Sequence, residues 1–185
     1  MIKGFTLIEL LVVIAILVVL SVAVVLVLNP AELIKQGRDA TRVSDLSALQ
    51  SAIAFFIADV QNPTWSVTST CTAGTSGPGG ACVTNANTTT TGSGWVNVNF
   101  SQLSVGSPLP LYRLPLDPIN SLTGGCGGTV SGCFYAYKSG TTAGKFKLYA
   151  NMESAKYTSV TSTRVEDDDG GTVIDWYEIG SDLSL

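Results

Sequence analysis

The longest feature of the hydrophobic pattern is an almost unbroken apolar run near the amino terminus. It extends from Phe5 to Leu28, 24 residues with one charge, Glu9, and no helix-breaking residue. As an α-helix this run would reach roughly 36 Å, at about 1.5 Å per residue, and the hydrocarbon core of a bilayer is about 30 Å thick. The run therefore predicts a membrane span.

The pattern changes at Asn29-Pro30. Pro30 cannot donate a hydrogen bond to the carbonyl of Leu26, and its ring disfavours helical geometry at Asn29, so we expect either a kink or a new helix there. Beyond this point apolar residues recur at three- and four-residue spacing, at Leu46, Leu49, Ile53, Phe56, Ile57 and Val60. This spacing predicts an amphipathic helix whose apolar face packs on a sheet.

The first half of the amphipathic helix is rich in charge. Arg38, Asp39, Arg42 and Asp45 lie at separations that allow ion pairs along the helix surface. We expect these four side chains to form a solvated or subunit-facing surface.

Strand patterns follow a long polar stretch. Residues 61–94 consist mainly of Thr, Ser, Gly, Asn and Ala, and we expect a long loop there. Four later segments alternate or are rich in β-branched and aromatic residues: Trp95 to Phe100, Gly132 to Lys138, Lys145 to Asn151 and Thr172 to Ile179. The chain therefore predicts an α+β fold, in which a long N-terminal helix packs on a small antiparallel sheet of three or four strands.

Composition narrows the classes of function. Charged residues make up 13% of the chain and the net charge is −4, so no basic surface for a nucleic-acid backbone is expected. The chain also has no His, the commonest general base in catalysis. We expect neither nucleic-acid binding nor an enzyme.

The four cysteines form two pairs that are close in sequence, Cys71 with Cys82 and Cys126 with Cys133. Neither pair has the C-x-x-C spacing of zinc ribbons or thioredoxin-like motifs. Local closure has the smaller entropic cost, so the sequence predicts these two disulfides in an oxidising compartment, with crossed pairing as the alternative.

Two simple explanations of the apolar run each leave part of it unexplained. A cleaved secretory signal would end at Ser21-Val22-Ala23, but the run continues past Ala23. A plain membrane anchor does not require Glu9, because a charge at the centre of a span costs on the order of 3 kcal/mol and is usually kept for a functional partner.

A third explanation accounts for the leader and the carboxylate together. Residues 1–4, MIKG, followed by FTLIEL, closely resemble the class III signal of type IV prepilins and type II secretion pseudopilins. The resemblance implies that a membrane-embedded prepilin peptidase cuts after Gly4, and that the new terminus, Phe5, is methylated. It also implies that Glu9 is the assembly carboxylate, paired with the Phe5 amine of a neighbouring subunit.

The acidic run near the carboxyl terminus is a second candidate site. Carboxylates in a loop containing Gly are ligands suited to Ca²⁺, and several pseudopilins bind calcium in a loop near the carboxyl terminus. One hypothesis for Asp167, Asp168, Asp169 and Asp175 is therefore a calcium site, although the run lacks the spacing of an EF-hand. A solvated acidic turn is the alternative, and no nucleophile lies nearby for catalysis.

The sequence thus predicts a filament subunit with a pilin-like fold. The predicted segments are a leader (1–4), a membrane and filament-core helix (5–28), an amphipathic helix half (29–60) and an exported β-rich head (61–185). Arg113-Leu114-Pro115-Leu116-Asp117-Pro118 resembles the turn that precedes the sheet in major pseudopilins.

The expected partners are further copies of the chain, the peptidase and an inner-membrane assembly platform. The expected locations are the inner membrane for the precursor and a surface filament or extracytoplasmic pseudopilus after assembly. A membrane-anchored binding protein or adhesin that never polymerises is the alternative.

Overall fold

The structure is a computed structural model that describes residues 4–63, 65–104, 111–126, 132–158, 165–166 and 169–185. It divides into two compact units, Met1–Lys35 and Gln36–Leu185. The second unit contains the sheet and the hydrophobic core. It includes most of the amphipathic helix as well as the predicted head, and the whole unit is called the head below.

Helix α1 is the apolar run seen in the sequence. It spans Leu7–Leu28, and within it Leu7–Val25 is long and apolar enough to cross a membrane. The helix ends at Asn29, whose φ of 41° and ψ of 77° lie in the left-handed region. Helix α2 then begins at Pro30 and runs to Asp59, so the junction is a new helix and not a kink.

Five strands of the head form one mixed sheet. All the described strands of the head, including two outside this sheet, are β1 (Ser69–Cys71), β2 (Ser76–Gly77), β3 (Gly80–Ala81), β4 (Val83–Thr84), β5 (Tyr135–Ser139), β6 (Phe146–Ala150) and β7 (Tyr177–Gly180). The sheet order is β4-β1-β5-β6-β7, with β1 and β4 parallel and all other neighbours antiparallel. Strands β2 and β3 form a separate hairpin. A 3₁₀ turn (Phe100–Gln102) and a short helix α3 (Ala155–Thr158) complete the described elements. The α+β fold predicted from the sequence is confirmed, but the sheet has five strands and one parallel pair instead of three or four antiparallel strands, because the polar stretch after α2 contributes β1 and β4.

Alternation along β5 and β6 places a hydrophobic cluster on each face of the sheet. One cluster contains Tyr135, Tyr137 and Leu148 and includes the apolar face of α2. The other contains Phe134, Ala136, Tyr149, Trp176 and the cysteines of β1 and the β3–β4 connection. The amphipathic helix therefore packs on the sheet as its spacing predicts.

Two expectations about the middle of the chain are wrong. Residues 61–94 hold β1 to β4 and are not one long loop, and Cys71 is fully buried. Trp95 to Phe100 is not a strand, although Trp95 and Phe100 are buried. The N–H groups of these two residues donate to the carbonyls of Asn87 and Thr90 in the preceding loop. The hydrophobic pattern of this segment therefore predicted burial correctly. Its backbone is not part of the sheet, because it forms hydrogen bonds to nearby loop carbonyls instead.

Candidate functional site

The amino-terminal site consists of Gly4, Phe5, Thr6 and Glu9. Gly4 and Phe5 precede α1, and Phe5 is 90% exposed. A Cβ atom built on Gly4 has nothing within 4 Å. The bond between Gly4 and Phe5 therefore lies in open, non-helical chain.

Within one chain, Glu9 belongs to a helix cap. Its Oε2 accepts hydrogen bonds from the backbone N–H and the hydroxyl of Thr6, both at 2.8 Å. The Thr6 hydroxyl in turn accepts from the Glu9 N–H at 3.3 Å. This reciprocal arrangement is a capping box, which satisfies N–H groups at the start of a helix. Thr6 was not among the predicted site residues, although its T-x-x-E spacing to Glu9 is the signal of that motif.

The rest of α1 presents an apolar surface on all sides. Every residue from Phe5 to Val25 is exposed. Such a surface is unfavourable in water, since burial of apolar area contributes about 25 cal/mol per Å². The helix therefore requires a bilayer or other apolar helices around it.

A buried ion cluster in the head replaces the predicted charged surface on α2. The Arg42 guanidinium is buried and donates to both oxygens of Asp117, at 2.6 Å and 3.0 Å, and to Asp39 at 2.7 Å. Asp117 and Asp39 are buried as well. These two carboxylates raise the pKa of Arg42 further above its usual range, although burial alone would lower it. The expectation of a solvated surface is wrong for Asp39 and Arg42, because Asp117, 75 residues further along the chain, supplies the counter-charge.

The same cluster anchors two loops to α2. Asp39 accepts N–H groups of Glu153 and Ser154, and Asp117 accepts the N–H of Ile119 at 2.8 Å. Arg38 also contacts Glu153, through an ion pair of 2.6 Å with its carboxylate. The charged half of α2 is therefore a docking surface for the head's own loops.

The structure contains both disulfides of the local scheme. Cys71 bonds to Cys82 and Cys126 bonds to Cys133. Cys126, Cys133 and Glu153 form the sole group of three potential metal ligands in the described part of the chain. Both sulfurs are in a disulfide, so they offer no thiolate to a metal.

The predicted calcium site is described in part. Asp167 and Asp168 lie outside the described residues, and Asp175 is half-buried. Asp169 accepts the Gly171 N–H at 2.7 Å with one oxygen and the Glu178 N–H at 2.5 Å with the other. Burial raises the pKa of Asp169 to about 6. Calcium binding at these residues stays a prediction.

A positive charge already lies beside this loop. Lys147, buried on β6, forms an ion pair of 2.7 Å with the buried carboxylate of Glu178 on β7. The sequence indicated neither residue as part of a site, because each stands alone within a strand pattern.

Comparison with known proteins identifies the amino-terminal segment. Residues 1–25 match the family model described as the prokaryotic N-terminal methylation motif. The chain thus carries the class III signal of type IV pilins and pseudopilins. No curated protein and no solved structure matches the chain.

Proposed function

We propose that this chain is a structural subunit of a type IV pilus or pseudopilus, cleaved after Gly4 and polymerised through α1. The observation that carries the proposal is the methylation motif over residues 1–25, placed directly on an exposed apolar helix. The motif supports a type IV pilin-like or pseudopilin subunit, and the helix fits a membrane-anchored one.

The geometry around Gly4 supports processing. A peptidase needs an extended, accessible chain, and residues 4–6 precede the first helical turn. Cleavage creates a new amine at Phe5, which would give Glu9 a cation with which to pair once packing of α1 in a filament buries its carboxylate. Processing would thereby provide the partner that Glu9 requires outside the bilayer.

The surface of α1 supports polymerisation. In the precursor the bilayer covers its apolar side chains, and in a filament the same side chains would pack against α1 of other copies. The proposed partners are accordingly other copies of this chain, a prepilin peptidase and an inner-membrane assembly platform. The proposed locations are the inner membrane for the precursor and an extracytoplasmic or surface filament after assembly.

Processing is tested by co-expressing the full chain with a prepilin peptidase and assembly platform. Mass spectrometry should find a mature chain that starts at Phe5 and carries one added methyl group. Gly4→Val, which places a branched side chain beside the cut, should leave the precursor intact and the filaments absent. Recovery of filaments made of uncleaved Gly4→Val chains would contradict the proposal.

Assembly is tested on material sheared from the cells. We expect the mature chain as a regular component of the sheared filaments. If the chain is cleaved but stays wholly in the membrane fraction, the second candidate, a membrane-anchored binding protein or adhesin with an exported head, is the correct one.

A further inference from the structure

Lys147 is a buried lysine whose ammonium is used neither by the amino-terminal site nor by the ion cluster at Arg42. Lys147 is the second residue of β6, and its ammonium lies on the sheet face opposite α2. Three oxygens surround it: Glu178 at 2.7 Å, the Thr172 hydroxyl at 3.0 Å and the Leu183 carbonyl at 2.6 Å. The hydroxyl and the carbonyl accept hydrogen bonds from the ammonium, and the Glu178 carboxylate supplies its counter-charge.

The oxygens around Lys147 come from three points of the last fourteen residues. Thr172 lies in the loop before β7, Glu178 on β7 and Leu183 in the tail after it. The Tyr149 ring lies 5.1 Å from the ammonium and adds a cation–π contact. Three parts of the carboxyl-terminal segment therefore contact the same ammonium.

Three of the four carboxylate oxygens of Glu178 and Asp169 accept backbone hydrogen bonds, and the fourth, Glu178 Oε1, lies 2.7 Å from the Lys147 ammonium. The second oxygen of Glu178 accepts the N–H groups of Thr172 and Val173. Both oxygens of Asp169 accept backbone N–H groups, from Gly171 and Glu178. Each carboxylate therefore holds the loop in place directly, by accepting hydrogen bonds from its backbone.

We propose that the Lys147 ammonium is the built-in cation that orders the carboxyl-terminal segment, in place of the calcium ion expected at the acidic run. Calcium requires six to eight oxygen ligands at about 2.3–2.6 Å. An ion bound to Glu178 would displace Lys147 and leave a buried ammonium without its counter-charge, which is strongly unfavourable. The donor set of Asp169 and Glu178 thus suits an ammonium and backbone N–H groups better than it suits calcium.

The first test is thermal unfolding of the full chain in detergent, with calcium and with a chelator. A single calcium site filled at 100 times its Kd would raise Tm by roughly 5–10 °C. We expect the same Tm in both conditions. A calcium-dependent rise of that size in the wild type would overturn the proposal and would support the calcium site at the acidic run.

The second test removes the ammonium and keeps the apolar stem. Lys147→Met should lower Tm by roughly 6–20 °C, because it leaves Glu178 buried without a cation. Limited proteolysis should then cut within residues 169–185. The matched control is Lys145→Met, since Lys145 is 48% exposed and pairs with Asp182 at 3.5 Å. The control should keep a Tm close to that of the wild type.

A double variant separates loss of the ion pair from general damage. Glu178→Gln keeps an oxygen for the Thr172 and Val173 N–H groups but removes the negative charge. Lys147→Met combined with Glu178→Gln should recover most of the Tm lost in Lys147→Met. A Lys147→Met chain that is as stable as the wild type, or a double variant with no recovery, would overturn the proposal. If Lys147→Met does not fold, the calcium test on the wild type still decides.

Discussion

Arg42 is a completely buried cation on α2 that touches Asp39 and Asp117. Replacing only one member of such a cluster leaves opposite charges buried without compensation. Arg42→Met should therefore lower the free energy of unfolding by roughly 3–5 kcal/mol. Urea unfolding of the full chain in detergent measures this loss.

Arg38 provides the control for Arg42 on the same helix. Its side chain is 30% exposed, and its partner Glu153 keeps a second cation, Arg42, at 3.6 Å. Arg38→Met should therefore cost only about 1 kcal/mol or less. Equal losses for the two variants would show that the buried cluster contributes no more than the partly exposed pair of Arg38 and Glu153.

Asp169 predicts a pH dependence of stability. Its pKa in the fold, about 6, is above the usual value because of burial, so between about pH 4 and 6 the folded state binds a proton that the unfolded state has released. This contribution is fully present below the unfolded pKa and is lost as pH rises through 6. The stability of the wild type relative to Asp169→Asn should therefore fall over this window, as measured by unfolding at a series of pH values. A relative stability that rises instead would place the pKa of Asp169 below its usual range, contrary to the effect of burial.

At the scale of elements, short strands depend on covalent support. Strand β1 has three residues and β4 two, and Cys71 at the end of β1 is joined to Cys82 directly before β4. A disulfide restricts the unfolded chain, and closing a loop of this size stabilises the folded state by about 3 kcal/mol. The Cys71→Ala/Cys82→Ala variant should lose about that much stability and should lose it mainly at the β1–β4 edge.

Amide hydrogen exchange in the Cys71→Ala/Cys82→Ala variant checks where the stability is lost. Protection should fall in β1 and β4 and should be retained in β5 and β6, which pair over five residues at the centre of the sheet. Cys126→Ala/Cys133→Ala is the control, because neither cysteine belongs to β1 or β4. For the wild-type chain, non-reducing peptide mapping that joined Cys71 to Cys126 or Cys133 would contradict the pairing.

At the scale of the whole molecule, Glu9 connects the single chain to the proposed filament. Glu9→Ala removes both the cap on Thr6 and the negative charge. We expect membrane insertion and cleavage after Gly4 to persist while filament yield falls sharply, as measured by shearing and quantitative immunoblotting. Filaments at normal yield from Glu9→Ala chains alone would exclude this role for Glu9.

Two matched variants separate the cap from the charge. Glu9→Gln keeps an acceptor for the Thr6 N–H, since Gln also completes a capping box, but it cannot pair with the Phe5 amine. Thr6→Val removes the capping hydroxyl and keeps the carboxylate. If charge pairing sets the assembly, Glu9→Gln should fail to form filaments and Thr6→Val should form them. The opposite result would assign the effect to the helix cap.

The sequence alone determined those features that depend on neighbouring residues. The apolar run, the break at Asn29-Pro30 and the stripe on α2 follow from local chemistry and periodicity. The local disulfide pairing and the motif around Gly4 and Glu9 were predictable for the same reason.

Only the tertiary structure decided what depends on residues far apart in the chain. The burial of Arg42 required Asp117, and the site of Lys147 required Glu178, 31 residues later in the chain. Trp95 to Phe100 has a strand-like pattern, yet its backbone bonds to a loop that no periodicity marks. A charge or a backbone group is placed by its partner, and the pairing of distant partners is a property of the fold.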